Sequence, residues 1–367
     1  MLKSYYVLIF FFLLGFVFSS CDQKEVKTER IELDGAIIDS LISDYDMEIG
    51  PGAALLITEN GNIIYSKGYG LANLEESIPI TSATNFRLAS LTKQFTAMCI
   101  MILNSRGQLD YELTLTDIFP DFPEYGSNIT VKHILHHTSG LKDYFTLIAD
   151  TVSQQLKDQD VLNLMMTQTT TYFPPGTEYR YSNSGYALLA MVVEKVSGRG
   201  FADFLEENIF SPLGMSNSIA YENGISTVEN RAYGYSLIDN EYTRDDQSLT
   251  SAVLGDGGIY SSLDDMFKWD QSINTNQLVP FTILNEAFIS GTLANGEETG
   301  YGFGWLLDSY LYRHRAYHTG STRGFRNVYM RFPDEKMSIL ILTNRNSGSP
   351  KEIANQIMEY IFTSNST

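Results

Sequence analysis

Strand-like segments stand at the two ends of this chain and helical spacing fills the stretch between them, a distribution that restricts the fold more than any single motif. Residues 53–58 and 62–66 read as strands around Asn60-Gly61, a dipeptide suited to a two-residue hairpin. Strand patterns return at residues 301–307, 316–318, 325–332 and 338–343. Helical spacing marks residues 31–49 and 352–362, and helical patterns with loops occupy roughly residues 90–270. An early hairpin pairing with late strands gives an α+β fold: one antiparallel sheet built from both chain ends, flanked by helices, with a mainly helical region inserted. The sheet region would take residues 32–85 and 297–365, and the helical region residues 86–296. A cleft is expected where the two regions meet.

The first residues read as a targeting segment. Lys3 supplies a positive start, and an apolar run over residues 5–18 follows, shorter than the roughly 20 residues of a membrane-spanning helix. Ser19 and Ser20 then precede Cys21, which resembles a bacterial lipobox. The expectation is a signal peptide over residues 1–20, a lipidated Cys21 and a polar tether over residues 21–31, with a hydrolase domain over residues 32–365. That makes the protein an exported lipoprotein, membrane-anchored on the extracytoplasmic side, several acyl chains giving stable anchoring. A plain cleaved signal or a marginal membrane helix are the alternatives. With Cys21 modified, Cys99 is the one remaining thiol, which leaves no intrachain disulfide, and its apolar surroundings predict burial. A net charge of −19 repels nucleic acid, so none is expected as a partner. A monomer is expected.

Three short motifs carry chemistry. In Ser90-Leu91-Thr92-Lys93, positions i and i+3 share a face at the start of an apolar helix that Gly107 would stop. A serine hydroxyl is a weak nucleophile until a base takes its proton, and a partly desolvated lysine can serve. Ser139-Gly140-Leu141-Lys142 repeats the spacing, but Gly140 breaks the helix. In Tyr181-Ser182-Asn183 the phenol can relay a proton and the amide can bond both substrate and lysine. Tyr221-Glu222-Asn223 is a decoy in a turn-like stretch. In His318-Thr319-Gly320-Ser321, Gly320 permits close backbone approach, and the Ser321 N–H would pair with that of Ser90 as an oxyanion hole.

Taken in this order the motifs resemble the serine β-lactamase and penicillin-binding protein superfamily, in the branch of class C β-lactamases, DD-peptidases, D-aminopeptidases and related esterases. His137-Thr138-Ser139-Gly140-Leu141, Pro174-Pro175-Gly176, Pro212-Leu213-Gly214-Met215, Gly257-Gly258-Ile259-Tyr260-Ser261-Ser262, Tyr301-Gly302-Phe303-Gly304-Trp305 and Leu342-Thr343-Asn344 extend the resemblance. It implies a β-lactamase/transpeptidase-like fold, Ser90 as acylated nucleophile, Lys93 as its partner and Tyr181 as proton relay. Asn183, His318, Thr319, Gly320 and Ser321 would contact substrate or oxyanion, and no cofactor or metal is implied. The substrate would be a small D-amino-acid peptide, an ester or a β-lactam. Most β-lactamases of the superfamily carry lysine where His318 stands. Histidine there points toward the peptidase or esterase members and away from antibiotic destruction, because a ring that is neutral for part of the physiological range holds a carboxylate poorly. Arg315 and Arg323 are candidates to supply that charge, and solvated surface is the plainer reading of both.

Three rival readings compete with this one. His133, His136 and His137 cluster, yet no His-Glu-x-x-His pattern or cysteine set accompanies them, so a metal site is disfavoured. No Gly-x-Ser-x-Gly elbow exists for an α/β-hydrolase. A non-catalytic cell-wall binder or β-lactam sensor on the same fold need not keep both Lys93 and Tyr181.

Overall fold

The computed structural model describes Met1 and residues 33–364. Cys21, the expected tether and nearly all of the expected signal segment lie outside the described residues. Among the described residues no helix is long and apolar enough to cross a membrane.

Six antiparallel strands form the main sheet. In chain order they are β1 (Ala53–Glu59), β2 (Asn62–Tyr69), β3 (Leu306–Tyr310), β4 (Arg313–Thr322), β5 (Phe325–Phe332) and β6 (Met337–Thr343), and across the sheet they run β3-β4-β5-β6-β1-β2. The two chain ends meet where β1 pairs β6, from Ala53 opposite Thr343 to Glu59 opposite Met337. Asn60 and Gly61 close the β1–β2 hairpin with φ of 49° and 76°, as a two-residue turn with both centres left-handed requires.

Both faces of the central strands are covered, so β1 is a continuous apolar run from Ala53 to Ile57 and β6 one from Ile339 to Leu342, rather than alternating. Ala54, Leu56, Leu340 and Leu342 join the large core shared with the helical region. On the other face the terminal helix α6 (Pro350–Ser364) packs over β5 and β6, Phe332 meeting Phe362 at a centroid distance of 5.0 Å. The first helix, α1 (Gly35–Leu41), packs beside it. Helix α1 is shorter than the spacing over residues 31–49 predicts, because a 3-10 turn at Ser43–Tyr45 interrupts it and buries Tyr45. The expected strand at residues 301–307 is also displaced. Tyr301 to Trp305 form a turn containing Gly302 and Gly304, and β3 begins only at Leu306.

Four helical segments of the inserted region set up the site. These are α2 (Thr92–Ser105), α3 (Asp158–Met166), α4 (Asn183–Ser197) and the single turn α5 (Leu254–Gly257). Helix α2 is buried on every side from Thr92 to Leu103, Cys99 included, which makes it the central post of the domain. Phe95 stacks on Trp269 with centroids 4.2 Å apart, and Gln94 Oε1 accepts the Trp269 indole N–H at 3.1 Å.

Asn344, fully buried just past β6, ties three segments together. Its Oδ1 accepts the Gly52 N–H at 2.8 Å, and its Nδ2 donates to the carbonyls of Leu71 and Tyr233, both at 3.0 Å. Asn344→Ala leaves these buried backbone groups unpaired and is expected to cost about 2–4 kcal/mol of stability. Urea unfolding of the variant beside the parent measures it, and an unchanged midpoint would refute the assignment.

Candidate active site

Ser90 sits at the foot of the central post because a short strand delivers it there. Phe86–Arg87 pairs with Ile259–Ser261, and the Leu88 N–H continues onto the Ile259 carbonyl at 2.8 Å. Ala89 then adopts φ of 50°, a left-handed conformation uncommon for a residue with a side chain, and the chain turns through Ala89–Leu91 into α2. This turn leaves Ser90 partly exposed while Lys93, one turn on, is fully buried.

Lys93 Nζ meets three oxygens: Ser90 Oγ at 3.2 Å, Asn183 Oδ1 at 2.8 Å and the Asp256 carbonyl at 2.8 Å. Burial pulls its pKa from 10.5 down to about 8, with the Asp256 carboxylate opposing. A carbonyl oxygen can only accept. Once neutral, Lys93 therefore spends its two N–H bonds on Asn183 and Asp256 and turns its lone pair toward the Ser90 hydroxyl. Asp256 is itself buried, which raises its pKa against the pull of Lys93, and its Oδ2 accepts the Tyr144 hydroxyl at 3.0 Å. Asp158 supports this loop from below, its two carboxylate oxygens accepting the Leu254 and Gly255 N–H groups at 2.8 and 2.9 Å.

Tyr181 and Asn183 arrive from the start of α4. Ser182 caps that helix, its Oγ accepting the Gly185 N–H at 3.0 Å, so Asn183 is the first helical residue and Tyr181 stands just outside. The Tyr181 phenol faces the Ser90 hydroxyl, and Lys93 Nζ lies 5.0 Å from the centre of its ring. Tyr181 as a whole is 39% exposed at the mouth of the site, but the protein crowding its phenol holds the pKa above its ordinary value, the Ser90 contact opposing, so Tyr181 rests as a neutral phenol.

The third motif lies along β4. A Cβ added to Gly320 would fall 2.2 Å from the Leu88 carbonyl oxygen, so only glycine lets this strand press against the Ser90 turn. Thr319 is half-buried and Ser321 exposed beside it. His318 departs from its expected place among the groups contacting substrate. Its ring lies beneath the site, 2% exposed, with Nδ1 2.7 Å from the Thr319 carbonyl and Nε2 3.0 Å from the Tyr301 hydroxyl. The carbonyl can only accept, so Nδ1 carries the proton and Nε2 accepts from Tyr301. Burial, reinforced by Lys93, pushes its pKa down to about 3. A neutral ring with both nitrogens engaged offers a substrate carboxylate neither charge nor a free donor.

The remaining candidates fall elsewhere. In the second Ser-x-x-Lys, Gly140 takes φ of 69° and Lys142 turns to Gln168 at 3.2 Å. Tyr221 hydrogen-bonds its own neighbour Asn223 at 3.3 Å. Arg315 is held by Asp308 and Asn355, and Arg323 faces Asp245 at 3.7 Å. Among the described residues no group of three or more His, Cys, Asp and Glu side chains is placed to hold a metal. The sequence reading missed Asp256 and Tyr144. The glycine-dense run around Asp256 was the available signal, since such a run lets a backbone carbonyl approach Lys93. Tyr301 is visible in the sequence only as part of the family pattern Tyr301-Gly302-Phe303-Gly304-Trp305.

Known proteins resemble this chain in sequence and in fold. Residues 39–360 match the Beta-lactamase family. The chain is 33% identical over 315 residues to a penicillin-binding protein of Bacillus subtilis (strain 168), covering 82% of this chain and 69% of that protein. It is 29% identical over 309 residues to a D-aminopeptidase of Gluconobacter oxydans (strain 621H), covering 82% of this chain but only 57% of that protein, so it spans little more than half of that relative's length. Among solved structures, the octameric penicillin-binding protein homologue from Pyrococcus abyssi superposes with a TM-score of 0.79 at 25% identity, covering 90% of this chain and 78% of that one. The D-amino acid amidase from Ochrobactrum anthropi SV3 complexed with L-phenylalanine amide gives a TM-score of 0.75 at 24% identity, covering 90% and 99%, a likeness of fold alone.

Proposed function

This chain belongs to the beta-lactamase family, and from that premise we propose that it is a serine hydrolase acting on amides of D-amino acids through an acyl-enzyme at Ser90. The observation that carries the reading is the buried Lys93, whose two carbonyl partners leave its lone pair for Ser90. Neutral Lys93 takes the Ser90 proton as Oγ bonds to the substrate carbonyl carbon, and the carbonyl oxygen becomes an oxyanion beside the Ser90 and Ser321 N–H groups. Tyr181 passes a proton to the leaving nitrogen and recovers one from the Lys93 ammonium, so that the C–N bond breaks, the amine departs from a Ser90 ester and Lys93 is neutral again. Water then attacks the ester carbonyl, giving up a proton to the same base, and Ser90 is regenerated.

The neutral, fully engaged His318 supports amides, peptides with a free amino end, or esters over substrates anchored by a carboxylate, which puts carboxypeptidase and β-lactamase activity second. The D-aminopeptidase relative supports the same preference. A panel of D-amino-acid p-nitroanilides, p-nitrophenyl acetate, a D-Ala-D-Ala peptide and nitrocefin, each run with a Ser90→Ala control, tests it. Ser90-dependent release from a D-amino-acid anilide is the expected result. Nitrocefin turned over faster than every anilide and ester would overturn the preference, and no Ser90-dependent turnover at all would overturn the hydrolase reading.

We place the enzyme at the outer face of a membrane through Cys21, on the strength of the apolar run and the small residues before it. Cys21→Ala should move the protein from the membrane to the soluble fraction, and unchanged fractionation would count against the anchor. The octameric state of the Pyrococcus abyssi neighbour favours an oligomer over the monomer expected from sequence.

A further inference from the structure

We propose that His137 is a positioning residue for Tyr181, holding the phenol on line between Ser90 and the leaving group; the inference rests on the relay role just assigned to Tyr181. His137 follows the helix Val131–Leu135 and adopts φ of 58°, a backbone conformation in which glycine or asparagine is the usual occupant. A histidine here needs a reason, and its contacts supply one. Its Nδ1 accepts the Ser182 N–H at 3.0 Å, and its carbonyl oxygen accepts the Arg180 N–H at 2.9 Å. The amides on both sides of Tyr181 thus end on one residue. The ring of that residue also lies against the Tyr181 ring, centroid to centroid 4.4 Å at 39°. Tyr181 is held at three points, two polar and one aromatic.

The same contacts fix the state of the imidazole. An N–H can only donate, so Nδ1 is unprotonated and the proton sits on Nε2. Among the described residues that buried Nε2 has no hydrogen-bond partner; the rings of Tyr301 and Tyr186 surround it, at centroid distances of 4.4 and 5.0 Å. An apolar residue would suit such a surround better, and a glycine would suit the backbone better. The Nδ1 acceptor is what neither of them provides.

A double-mutant cycle tests this on whichever chromogenic substrate of the panel is turned over. His137→Gly keeps the left-handed backbone at no cost and removes the acceptor and the ring; kcat should fall about 10²-fold, with KM changing by less than about threefold. His137→Asn restores an amide oxygen near the Nδ1 position and should stay within about tenfold of the parent. In the Tyr181→Phe background neither substitution should lower kcat further, since there is no phenol left to place. A folded His137→Gly enzyme with full kcat would overturn the proposal, and so would an equal loss with and without the phenol. Should His137→Gly not fold, the cycle is read with His137→Asn, and a loss persisting in the Tyr181→Phe background overturns the proposal. A Tyr181→Phe enzyme as fast as the parent would instead sink the relay reading itself, a result visible before His137 is touched.

Discussion

Ser90→Ala is expected to lower kcat/KM by about 10⁴–10⁶-fold and to abolish covalent labelling by penicillin or an activated ester, with the fold unchanged. The substitution removes one partly exposed hydroxyl and leaves the volume of the site nearly intact, so stability should move by no more than about 0.5 kcal/mol. What disappears is the atom to which Lys93 and Tyr181 both point. The residual rate belongs to the N–H groups flanking the site and to substrate binding. Mass spectrometry of the intact protein after incubation with the acylating agent reads the result directly. An adduct of the same mass on the Ser90→Ala protein would place the nucleophile elsewhere, and Ser139 would be the first residue to examine.

Lys93→Met should cost about 10²–10⁴-fold in kcat/KM and erase one limb of the pH profile. Only neutral Lys93 can take the Ser90 proton, so the activity of the parent should climb as pH rises through about 8 and level off above it. The variant should show no such limb. The stability effect has a definite sign. A lysine whose folded pKa lies below 10.5 is bound to fewer protons when folded than when unfolded between about 8 and 10.5, so its contribution to stability rises with pH across that window. Below pH 8 burying the ammonium costs about 3 kcal/mol. Methionine removes that cost but leaves Asn183 Oδ1 and the Asp256 carbonyl without their donor, at about 1 kcal/mol or more each. The two effects oppose, and the melting temperature at pH 7 should shift by only a few degrees while activity collapses. Measured kcat/KM between pH 6 and 10 decides the case, and a limb near pH 8 surviving in Lys93→Met would remove Lys93 from the role of base.

The sheet was readable from sequence because its strands are bounded by strong punctuation and its central strands hold continuous apolar runs. Asn60-Gly61 fixed one turn, and residues 325–332 fall on the strand Phe325–Phe332. The pair Ser90 and Lys93 was readable because three residues make nearly one helical turn, whatever the rest of the chain does. Other parts depended on contacts that no spacing encodes. Tyr301 to Trp305 resembles a strand in composition, yet its glycines bend it into a turn. His318 looked like a substrate contact because it occupies a motif position. Its actual partners, Tyr301 and the Thr319 carbonyl, come from a turn and a neighbouring peptide and could be identified only in three dimensions. The Asp256 carbonyl was invisible for a simpler reason: every residue carries a carbonyl, and only the fold decides which one faces an amine.

The pairing of β1 with β6 has a consequence for how the protein is made. Ala53 waits for Thr343, so a ribosome synthesises some 290 further residues before the first hairpin gains its permanent neighbour. Until then one side of β1 is an open edge able to capture foreign strands. Premature termination between residues 93 and 337 would leave the serine and lysine in the polypeptide but the platform beneath them unclosed. Such fragments should accumulate as aggregates rather than as weak enzymes.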